Sequence, residues 1–443
     1  MGSVCIGAFM GQLDASIVTL IFPALQREFH AALAAVQWVS LAYLLALIAL
    51  LIGVGRLADV AGRKRVYLYG FAVFTAASAA CGSVPSLPAL VACRLVQAVG
   101  AAMLQANSVA LVATSVSRRR IRTALGAQAA AQALGLGVGP TVGGLVVAAA
   151  GWRWVFWINV PVGLAAIAAG RYLLPRTRHY SRGGPFDWAG LILLSAATTS
   201  LLLALSAAAG LGLPSWSIAA LLATAAATAT GFWIWERRPA SPLIDVTVAR
   251  TAAVAAGLAG ALCGYLALFG PLVLIPQVLV NGGLGELHAG LLLSALPGGF
   301  ALAALGADHL LPRRWGNRAR CVAGTLVAAA ATALLAIAPA EPGRLVWLLA
   351  LLGLGLGVFV PTNNTVVMAA LPAHMSATAG GMINMTRGIG TALGIAAVTL
   401  ALHHGGGPGI AGARTALALL TVASLLAALT ALTARAGRGP DKK

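Results

Sequence analysis

Charged side chains that stand inside long apolar stretches are the residues of this sequence that could carry chemistry. Asp14 lies ten residues after Val4, where an apolar stretch begins, and so about 15 Å along a helix. An ionised side chain deep in an apolar medium is costly unless it is neutralised or paired. Burial favours the neutral acid, and a nearby cation favours the carboxylate. Asp14 could therefore exchange a proton for a bound molecule, or it could be a structural carboxylate that stays paired with an arginine.

Other polar residues follow helical spacing in these stretches. Gln97 lies three residues after Arg94, and Asn384 lies three residues before Arg387, so that each pair shares one face of a helix. We interpret these faces as polar stripes that line a cavity or pack against another helix. Several amides in the apolar stretches could hydrogen-bond a substrate or simply one another; they are Gln128, Gln132, Asn107, Asn363 and Asn384.

The segment GLGVGPTVGG predicts a close contact between helices. Gly135, Gly139 and Gly143 recur every four residues and leave a flat strip on one helix face. Pro140 removes one backbone donor and bends the helix. Such a strip could serve packing alone.

The segment GRLADVAGRKR places one carboxylate and four cations between two apolar stretches. Asp59 ends the first stretch, where it can accept hydrogen bonds from the N-terminus of a neighbouring helix, which we expect to begin near Met375. Glycines permit a tight turn. The simpler alternative is a loop whose cations only keep it on one side of a membrane. The residues of interest in this segment are Gly55, Asp59, Gly62, Arg63, Lys64 and Arg65.

The elements that must position these residues are membrane-spanning helices. The chain has 443 residues, of which 60% are hydrophobic and 9% charged, whereas soluble domains carry about 25% charged residues. The apolar stretches have about 20 residues each, the length that crosses a bilayer, and they lack the alternation of barrel strands. We therefore predict an all-α polytopic membrane protein. Its fourteen stretches lie near 4–24, 36–55, 66–83, 88–113, 122–149, 153–174, 188–209, 214–235, 253–280, 288–309, 319–338, 345–370, 375–402 and 413–434.

The distribution of basic residues predicts how these helices are oriented. The loops after even-numbered stretches, together with the C-terminal tail, hold 23 of the 29 Lys and Arg, and the opposite loops hold 4. Because positive loops stay in the cytoplasm, we predict both termini on the cytoplasmic side of the plasma membrane. The net charge of +19 is spread over many loops, which argues against a nucleic-acid partner. The five cysteines have no paired spacing, and we interpret them as small apolar residues.

Two longer polar loops, 175–187 and 236–252, divide the stretches into groups of six, two and six. The segment GADHLLPRRWGNRAR, after the tenth stretch, looks like a worn copy of GRLADVAGRKR, and such repeats are typical of transporters. No basic residue precedes the first stretch, so a short N-terminal tail could be missing. The predicted domains are an N-terminal six-helix bundle (1–174), a linker with an inserted helix pair (175–252), a C-terminal six-helix bundle (253–434) and a cytoplasmic tail (435–443).

Taken in order, these motifs resemble those of the major facilitator superfamily and, within it, of the fourteen-span drug:proton antiporters. GRLADVAGRKR resembles the family's loop between spans 2 and 3, with Val60 where a cation is usual. LVACRLVQAVGAA resembles the fourth-span motif, and GLGVGPTVGG resembles the antiporter motif of the fifth span. LDASIVTLIFP resembles the first-span motif, with Thr19 in place of asparagine, and WRWVFWINVPVG and FDWAG resemble further segments of that subfamily.

The resemblance implies a major facilitator fold with 14 transmembrane helices (6+2+6) and roles for the residues above. The loop at Asp59 would latch the two six-span halves on the cytoplasmic side. Arg94 would take part in proton transfer with Asp14 and Gln97, and Arg387 would bind substrate or hold the halves together. The fifth-span motif would seal the pathway against leak; its residues are Gly135, Gly139, Pro140, Gly143 and Gly144.

We therefore expect a secondary transporter, not an enzyme, that exchanges protons for an amphipathic drug or antibiotic. It would need no cofactor, since the proton gradient drives it and no segment resembles a nucleotide-binding loop, and it would work as a monomer in the lipid bilayer. The alternatives are a proton-coupled symporter or facilitator for a defined metabolite, a channel, and a membrane-embedded enzyme, for which no acid–base or metal constellation is evident. His403 and His404 lack a third ligand for a metal ion.

Overall fold

All regular structure in the described part of the chain is helical. The computed structural model describes residues 2–31, 33–117, 120–174, 186–208, 213–238, 242–244, 251–281, 286–312, 314–337, 342–404 and 409–433. The helices of the first part are α1 (Gly2–Ile17), α2 (Phe22–Phe29), α3 (Leu33–Ala61), α4 (Arg63–Cys81), α5 (Leu87–Ser115), α6 (Ile121–Ala150), α7 (Trp154–Trp157), α8 (Asn159–Leu173), α9 (Trp188–Ala208) and α10 (Ser215–Trp235). Those of the second part are α11 (Ala252–Asn281), α12 (Glu286–Leu293), α13 (Ala295–Leu310), α14 (Asn317–Ile337), α15 (Pro342–Ala370), α16 (Ser376–His404) and α17 (Ile410–Thr433). Short 3₁₀ turns at Val18–Ile21 and Ala373–Met375 precede α2 and α16.

Each of the fourteen predicted stretches is occupied by one helix or by two consecutive helices. Among the described residues, eleven such elements are long and apolar enough to cross a membrane. The other three stretches hold α1 with α2, α4, and α6. α1 has only 16 residues before the 3₁₀ turn, and α4 opens with three cations. The chain is a multi-pass membrane protein, but the predicted count of fourteen spans is not confirmed.

Local sequence explains the sharp reversal between α3 and α4. Gly62 separates the two helices with a φ of 102°, in the left-handed region that strains any side chain. The turn brings Arg63, in the first turn of α4, back to Asp59 near the end of α3, with 2.9 Å between Nε and Oδ1. The glycine is therefore required by the backbone, and the reversal fixes where the Asp59 carboxylate points.

The helices group into two units. Unit 1 comprises Met1–Arg118, Ala131–Leu243 and Ala373–Met385, and unit 2 comprises Arg119–Ala130, Ile244–Pro372 and Thr386–Lys443. Two helices thus pass from one unit to the other: α6 begins in unit 2, and α16 begins in unit 1. The predicted inserted pair, α9 and α10, belongs to unit 1, where α9 packs against α3. The predicted domain limits remain a prediction, and the tail at 435–443 lies outside the described residues.

The hydrophobic core of unit 1 includes the end of α1 and the start of α2. Its buried cluster includes Ile17, Leu25, Val39 and Phe156, which come from four different helices. Cys81 belongs to the same cluster, and all five cysteines are free. Cys81 packs as the sequence predicts, as a small residue of the apolar core, but its Sγ also donates a hydrogen bond to Gln97 Oε1 at 3.8 Å.

Candidate functional site

Asp14 and Arg94 form an ion pair in the interior of unit 1. Arg94 Nη1 on α5 lies 2.6 Å from Asp14 Oδ2 on α1. Asp14 is 2% exposed and Arg94 is 1% exposed, so neither side chain is solvated. Two buried charges are tolerated only when they are paired and when their remaining hydrogen-bonding capacity is satisfied.

The second carboxylate oxygen of Asp14 is satisfied by two amides. Gln97 Nε2 and Asn159 Nδ2 each donate to Asp14 Oδ1 at 3.1 Å. Gln97 Nε2 also lies 2.8 Å from Ser78 Oγ on α4. The groups that contact the two Asp14 oxygens are all hydrogen-bond donors, so the pocket fits the charged carboxylate, which only accepts. A protonated oxygen would direct its own O–H donor at one of these donors.

Arg94 has contacts beyond its carboxylate partner. Its Nε donates to the carbonyl of Val39 on α3 at 3.1 Å, and its Nη1 also donates to Gln97 Oε1 at 2.7 Å. The guanidinium carbon lies 3.9 Å from the centroid of the Tyr43 ring, a cation–π distance. Residues of α1, α3, α4, α5 and α8 therefore meet around a single ion pair.

Asn159 and Ser78 belong to this cluster but were not predicted from the sequence. Asn159 is the first residue of α8 and is buried. A signal was present, since Asn159 is the amide of the segment WRWVFWINVPVG, in which apolar residues predominate. An amide at the buried start of a helix needs a polar partner.

Asp59 lies at the end of α3 and holds the first turn of α16, both within unit 1. The backbone N–H groups of Ala377 and Thr378 donate to its two oxygens at 3.0 and 2.8 Å, and Thr378 Oγ1 donates at 2.9 Å. A carboxylate at this position also complements the positive end of the helix dipole. A Cβ added at Gly55 would lie 2.6 Å from the Ala377 carbonyl oxygen, so glycine is needed for the approach. The contact lies where the sequence predicts it.

The three cations that follow Gly62 differ in their surroundings. Arg63 is buried and pairs with Asp59, with 2.8 Å between Nη2 and Oδ1. Lys64 Nζ donates to the carbonyls of Arg171 and Leu174 at 2.8 and 2.6 Å, at the C-terminal end of α8. Arg65 is exposed. Two of the three cations therefore do more than keep the loop positively charged.

Asp308 is the aspartate of the worn copy, GADHLLPRRWGNRAR, and it holds the first turn of α6 within unit 2. Arg122 Nε lies 2.5 Å from Asp308 Oδ1, and Thr123 Oγ1 donates to Oδ2. Arg320 on α14 donates from Nη1 to Asp308 Oδ1 at 2.8 Å. The copy was noted in the sequence, but Asp308 was not singled out. The repeat was the signal, since the copied acid also contacts the start of a helix, here through side chains and not through backbone N–H groups.

The glycine strip of α6 packs against α1, the helix that carries Asp14. A Cβ added at Gly135 would lie 2.5 Å from the carbonyl oxygen of Phe9, and one at Gly139 would collide with the hydroxyl of Ser16. Gly143 is buried on the same face, whereas Gly144 is exposed and has nothing near its Cβ position. The side chain of Pro140 lies outside the described residues.

The remaining predicted residues are Arg387 and five amides. Arg387 is in unit 2, with its guanidinium carbon 5.9 Å from the Tyr265 ring centroid. Three asparagines donate to backbone carbonyls: Asn107 to Met103, Asn363 to Gly257, and Asn384 to Gln105 and Gly380. Gln128 is buried in the unit 2 part of α6, and Gln132 is half-buried in its unit 1 part. Contact of these amides with a substrate stays a prediction.

The ion pair between Arg153 and Glu28, near the C-terminal end of α2, is exposed. Arg153 Nη2 lies 2.7 Å from Glu28 Oε1, and Trp152 Nε1 donates to Glu28 Oε2 at 2.6 Å. These two hydrogen bonds, that of Arg153 first, hold the pKa of Glu28 below its usual range. No group of three His, Cys, Asp or Glu in the described residues could hold a metal ion, and the side chains of His403 and His404 lie outside those residues.

Known proteins of similar sequence and structure are transporters. The sequence pattern of the Major Facilitator Superfamily matches residues 4–395. The chain is 32% identical over 398 residues to the tetracenomycin C resistance and export protein of Streptomyces glaucescens, covering 89% of this chain and 74% of that protein. It is also 32% identical over 394 residues to the multidrug resistance protein Stp of Mycobacterium tuberculosis, covering 88% and 73%. The crystal structure of the human organic anion transporter MFSD10 shares the fold, with a TM-score of 0.72, 16% identity and 98% coverage of both chains.

Proposed function

The chain belongs to the Major Facilitator Superfamily, and we propose that it is a fourteen-span transporter of the plasma membrane that expels an amphipathic organic compound in exchange for protons. Both termini lie in the cytoplasm, and the protein works as a monomer with no cofactor. The names of two relatives, one a tetracenomycin C exporter and one a multidrug resistance protein, support an antibiotic or drug as the exported compound. The observation that carries the proposal is the buried pair of Asp14 and Arg94.

The proton and Arg94 compete for the Asp14 carboxylate. Protonation of Asp14 removes the attraction between the two side chains, because the neutral acid carries no charge for the guanidinium to pair with. Arg94 then keeps the Val39 carbonyl, Gln97 Oε1 and the face of the Tyr43 ring. The hold of α5 on α1 is thereby weakened without leaving the arginine unpartnered. Loss of the proton restores the pair, and this alternation couples proton entry to movement of α1.

The glycine strip connects this event to α6. Gly139 lies against Ser16, two residues from Asp14, so that a shift of α1 must be followed by a shift of α6. α6 and α16 each begin in one unit and continue in the other. Asp59 and Asp308, which hold the first turns of α16 and α6, act as latches that open and close as α6 and α16 move.

The test is proton-driven export by Asp14→Asn. In everted vesicles from a pump-deficient strain, the wild-type protein should accumulate tetracenomycin C or a drug dye when a pH gradient is imposed, with release of protons. With Asp14→Asn, substrate accumulation should fall to the level of vesicles without the protein, because the amide side chain cannot take up a proton here. Glu28→Gln, the same change at an exposed carboxylate, should transport normally. Export with proton movement by Asp14→Asn would overturn the proposal.

A double variant separates coupling from a purely structural pair. Removing one partner of a buried ion pair costs about 3–5 kcal/mol, whereas neutralising both is far less harmful. If the pair were only structural, Asp14→Asn with Arg94→Gln should regain the folded yield and the export that Asp14→Asn loses. We expect the double variant to regain the folded yield while remaining inactive in export.

The second candidate function is uptake of a defined metabolite together with protons. The buried carboxylate would serve a symporter as well as an antiporter. The direction of substrate movement under an imposed pH gradient decides between the two, since an antiporter moves substrate against the proton flow and a symporter with it. The relatives' names and the glycine strip of α6 favour the antiporter.

A further inference from the structure

A cavity at one end of unit 2 combines an apolar floor with a cationic mouth. Its volume is about 370 Å³, within the usual range of ligand pockets, roughly 300–1,000 Å³. It lies where α11 and α14 end and where α15 and α17 begin. Buried leucines form the floor, among them Leu274, Leu345 and Leu417.

Two arginines stand at the mouth of this cavity. Arg344 lies near the start of α15, and Arg414 lies near the start of α17. Both are exposed, and no described residue forms an ion pair with either. The described residues that line the cavity include no acid. The two helix N-termini add their own partial positive charge at the same end.

The position of these arginines is not explained by membrane topology. In the proposed orientation this end of unit 2 faces the outside of the cell, where cations are scarce in membrane proteins. Arg153, on the same side, is neutralised by Glu28. Among the described residues Arg344 and Arg414 have no such partner, which leaves both charges available to an anion from elsewhere.

We propose that the cavity binds an anionic phospholipid of the bilayer. The phosphate lies between Arg344 and Arg414, whose planar guanidinium groups suit bidentate contact with phosphate oxygens. One acyl chain lies on the leucine floor, which offers no polar partner. A zwitterionic lipid brings its own cation to the arginines, and a free anion has no chain for the floor, so each fits only half of the site.

The test measures which lipid the purified full-length protein retains. Delipidated protein in detergent is incubated with phosphatidylglycerol or with phosphatidylcholine of the same acyl chains, and bound lipid is counted by native mass spectrometry. Phosphatidylglycerol should bind at a concentration on the order of tenfold lower, since each arginine near an anionic headgroup adds to its attraction. Inorganic phosphate, added in excess over the lipid, should not displace it.

Matched variants assign the binding to this cavity. Arg344→Gln with Arg414→Gln should abolish the preference for phosphatidylglycerol. Arg314→Gln with Arg318→Gln, which removes two exposed charges from the opposite end of unit 2, should keep it. Ala336→Phe, which places a ring in the cavity from a half-buried wall position, should lower retention of the lipid.

Three results would overturn the proposal. Equal retention of the two lipids by the wild-type protein would show that the arginines do not select a headgroup. A preference that survives Arg344→Gln with Arg414→Gln would place the lipid elsewhere. Displacement of phosphatidylglycerol by inorganic phosphate would show a simple anion site.

Discussion

At Asp14, hydrogen-bond donors reach both carboxylate oxygens, and this arrangement decides which charge state the site fits. Arg94 donates a hydrogen bond to one oxygen, and Gln97 and Asn159 donate to the other. Two amides and a guanidinium on one carboxylate stabilise the anion. In the proposed exchange a proton would displace these favourable contacts, and the loss of the contacts would be converted into movement.

Arg94→Lys should impair transport although it preserves the charge. A lysine ammonium can still pair with Asp14, but it cannot reach the Val39 carbonyl and Gln97 Oε1 with a planar fork. Loss of one such charged hydrogen bond should cost about 1.5–3 kcal/mol. The expected result is a lower initial rate of drug efflux and fewer protons released per substrate, measured in the same vesicles.

The control for this change is Arg318→Lys at an exposed position. It should leave the efflux rate and the proton release unchanged. Full coupling in Arg94→Lys would mean that the positive charge alone matters and that the fork has no part in proton transfer.

At the scale of helices, close contacts at glycines and held helix starts position the ion pair. α6 can approach α1 only because Gly135 and Gly139 lack side chains at the contact. Asp59 accepts from backbone N–H groups in the first turn of α16, where such groups lack helical partners. Asp308 accepts instead from the side chains of Arg122 and Thr123 in the first turn of α6. The pair at Asp14 is thus tied to α6, and α6 in turn to Asp308.

Gly135→Ala should weaken the contact between α6 and α1, and Gly144→Ala should not. The added Cβ at Gly135 would meet the Phe9 carbonyl oxygen at 2.5 Å, and overpacking of this kind costs about 1–3 kcal/mol. Gly144 is exposed, with no atom within 4 Å of a Cβ. Thermal unfolding in detergent should show a lower Tm for Gly135→Ala alone. Equal Tm values would mean that the helices separate readily at this contact.

Asp59→Ala should release the first turn of α16. The carboxylate accepts three hydrogen bonds from Ala377 and Thr378, and without it two buried N–H groups lose their acceptor. Hydrogen exchange should become faster at these two amides, while amides in the middle of α14 remain protected. Protection that persists at Ala377 and Thr378 would show that α16 does not depend on Asp59, and the latch would be excluded.

At the scale of the whole chain, the number of spans decides where the termini lie. Fourteen spans place both termini on one side of the membrane, whereas the eleven strongly apolar elements alone would place them on opposite sides. The other three stretches hold α1 with α2, α4, and α6, and these helices contribute Asp14, Ser78 and the glycine strip. The partners Arg94, Gln97 and Asn159 come from α5 and α8, which are among the eleven elements.

Reporter fusions test this arrangement. A fluorescent protein fused to the N-terminus and, separately, to the C-terminus should fold and fluoresce in both cases, because the proposed topology places both ends in the cytoplasm. Alkaline phosphatase inserted after residue 408 should be active, because the predicted topology places that segment outside. A fluorescent protein that stays dark at one terminus, or a phosphatase that is inactive after residue 408, would contradict the span count of fourteen and the assignment of Arg344 and Arg414 to the outer face.

The sequence by itself determined the fold class and the positions of the helices. Apolar stretches of bilayer length and the segregation of cations between alternate loops are local or additive properties, and they can be read without knowing which helices touch. The contact of Asp59 with the start of α16 was also predictable. Asp59 follows a span, α16 is expected to begin at the same depth of the membrane, and a carboxylate favours a helix N-terminus.

Only the tertiary structure decided which residues surround Asp14. Asn159 is 145 positions away from it along the chain, and Asp308 and Arg122 are 186 apart. Helical periodicity assigns a side chain to a face, but it does not say which helix lies opposite that face. That choice depends on how all the helices pack together, where small residues such as Gly135 allow approach and larger ones prevent it.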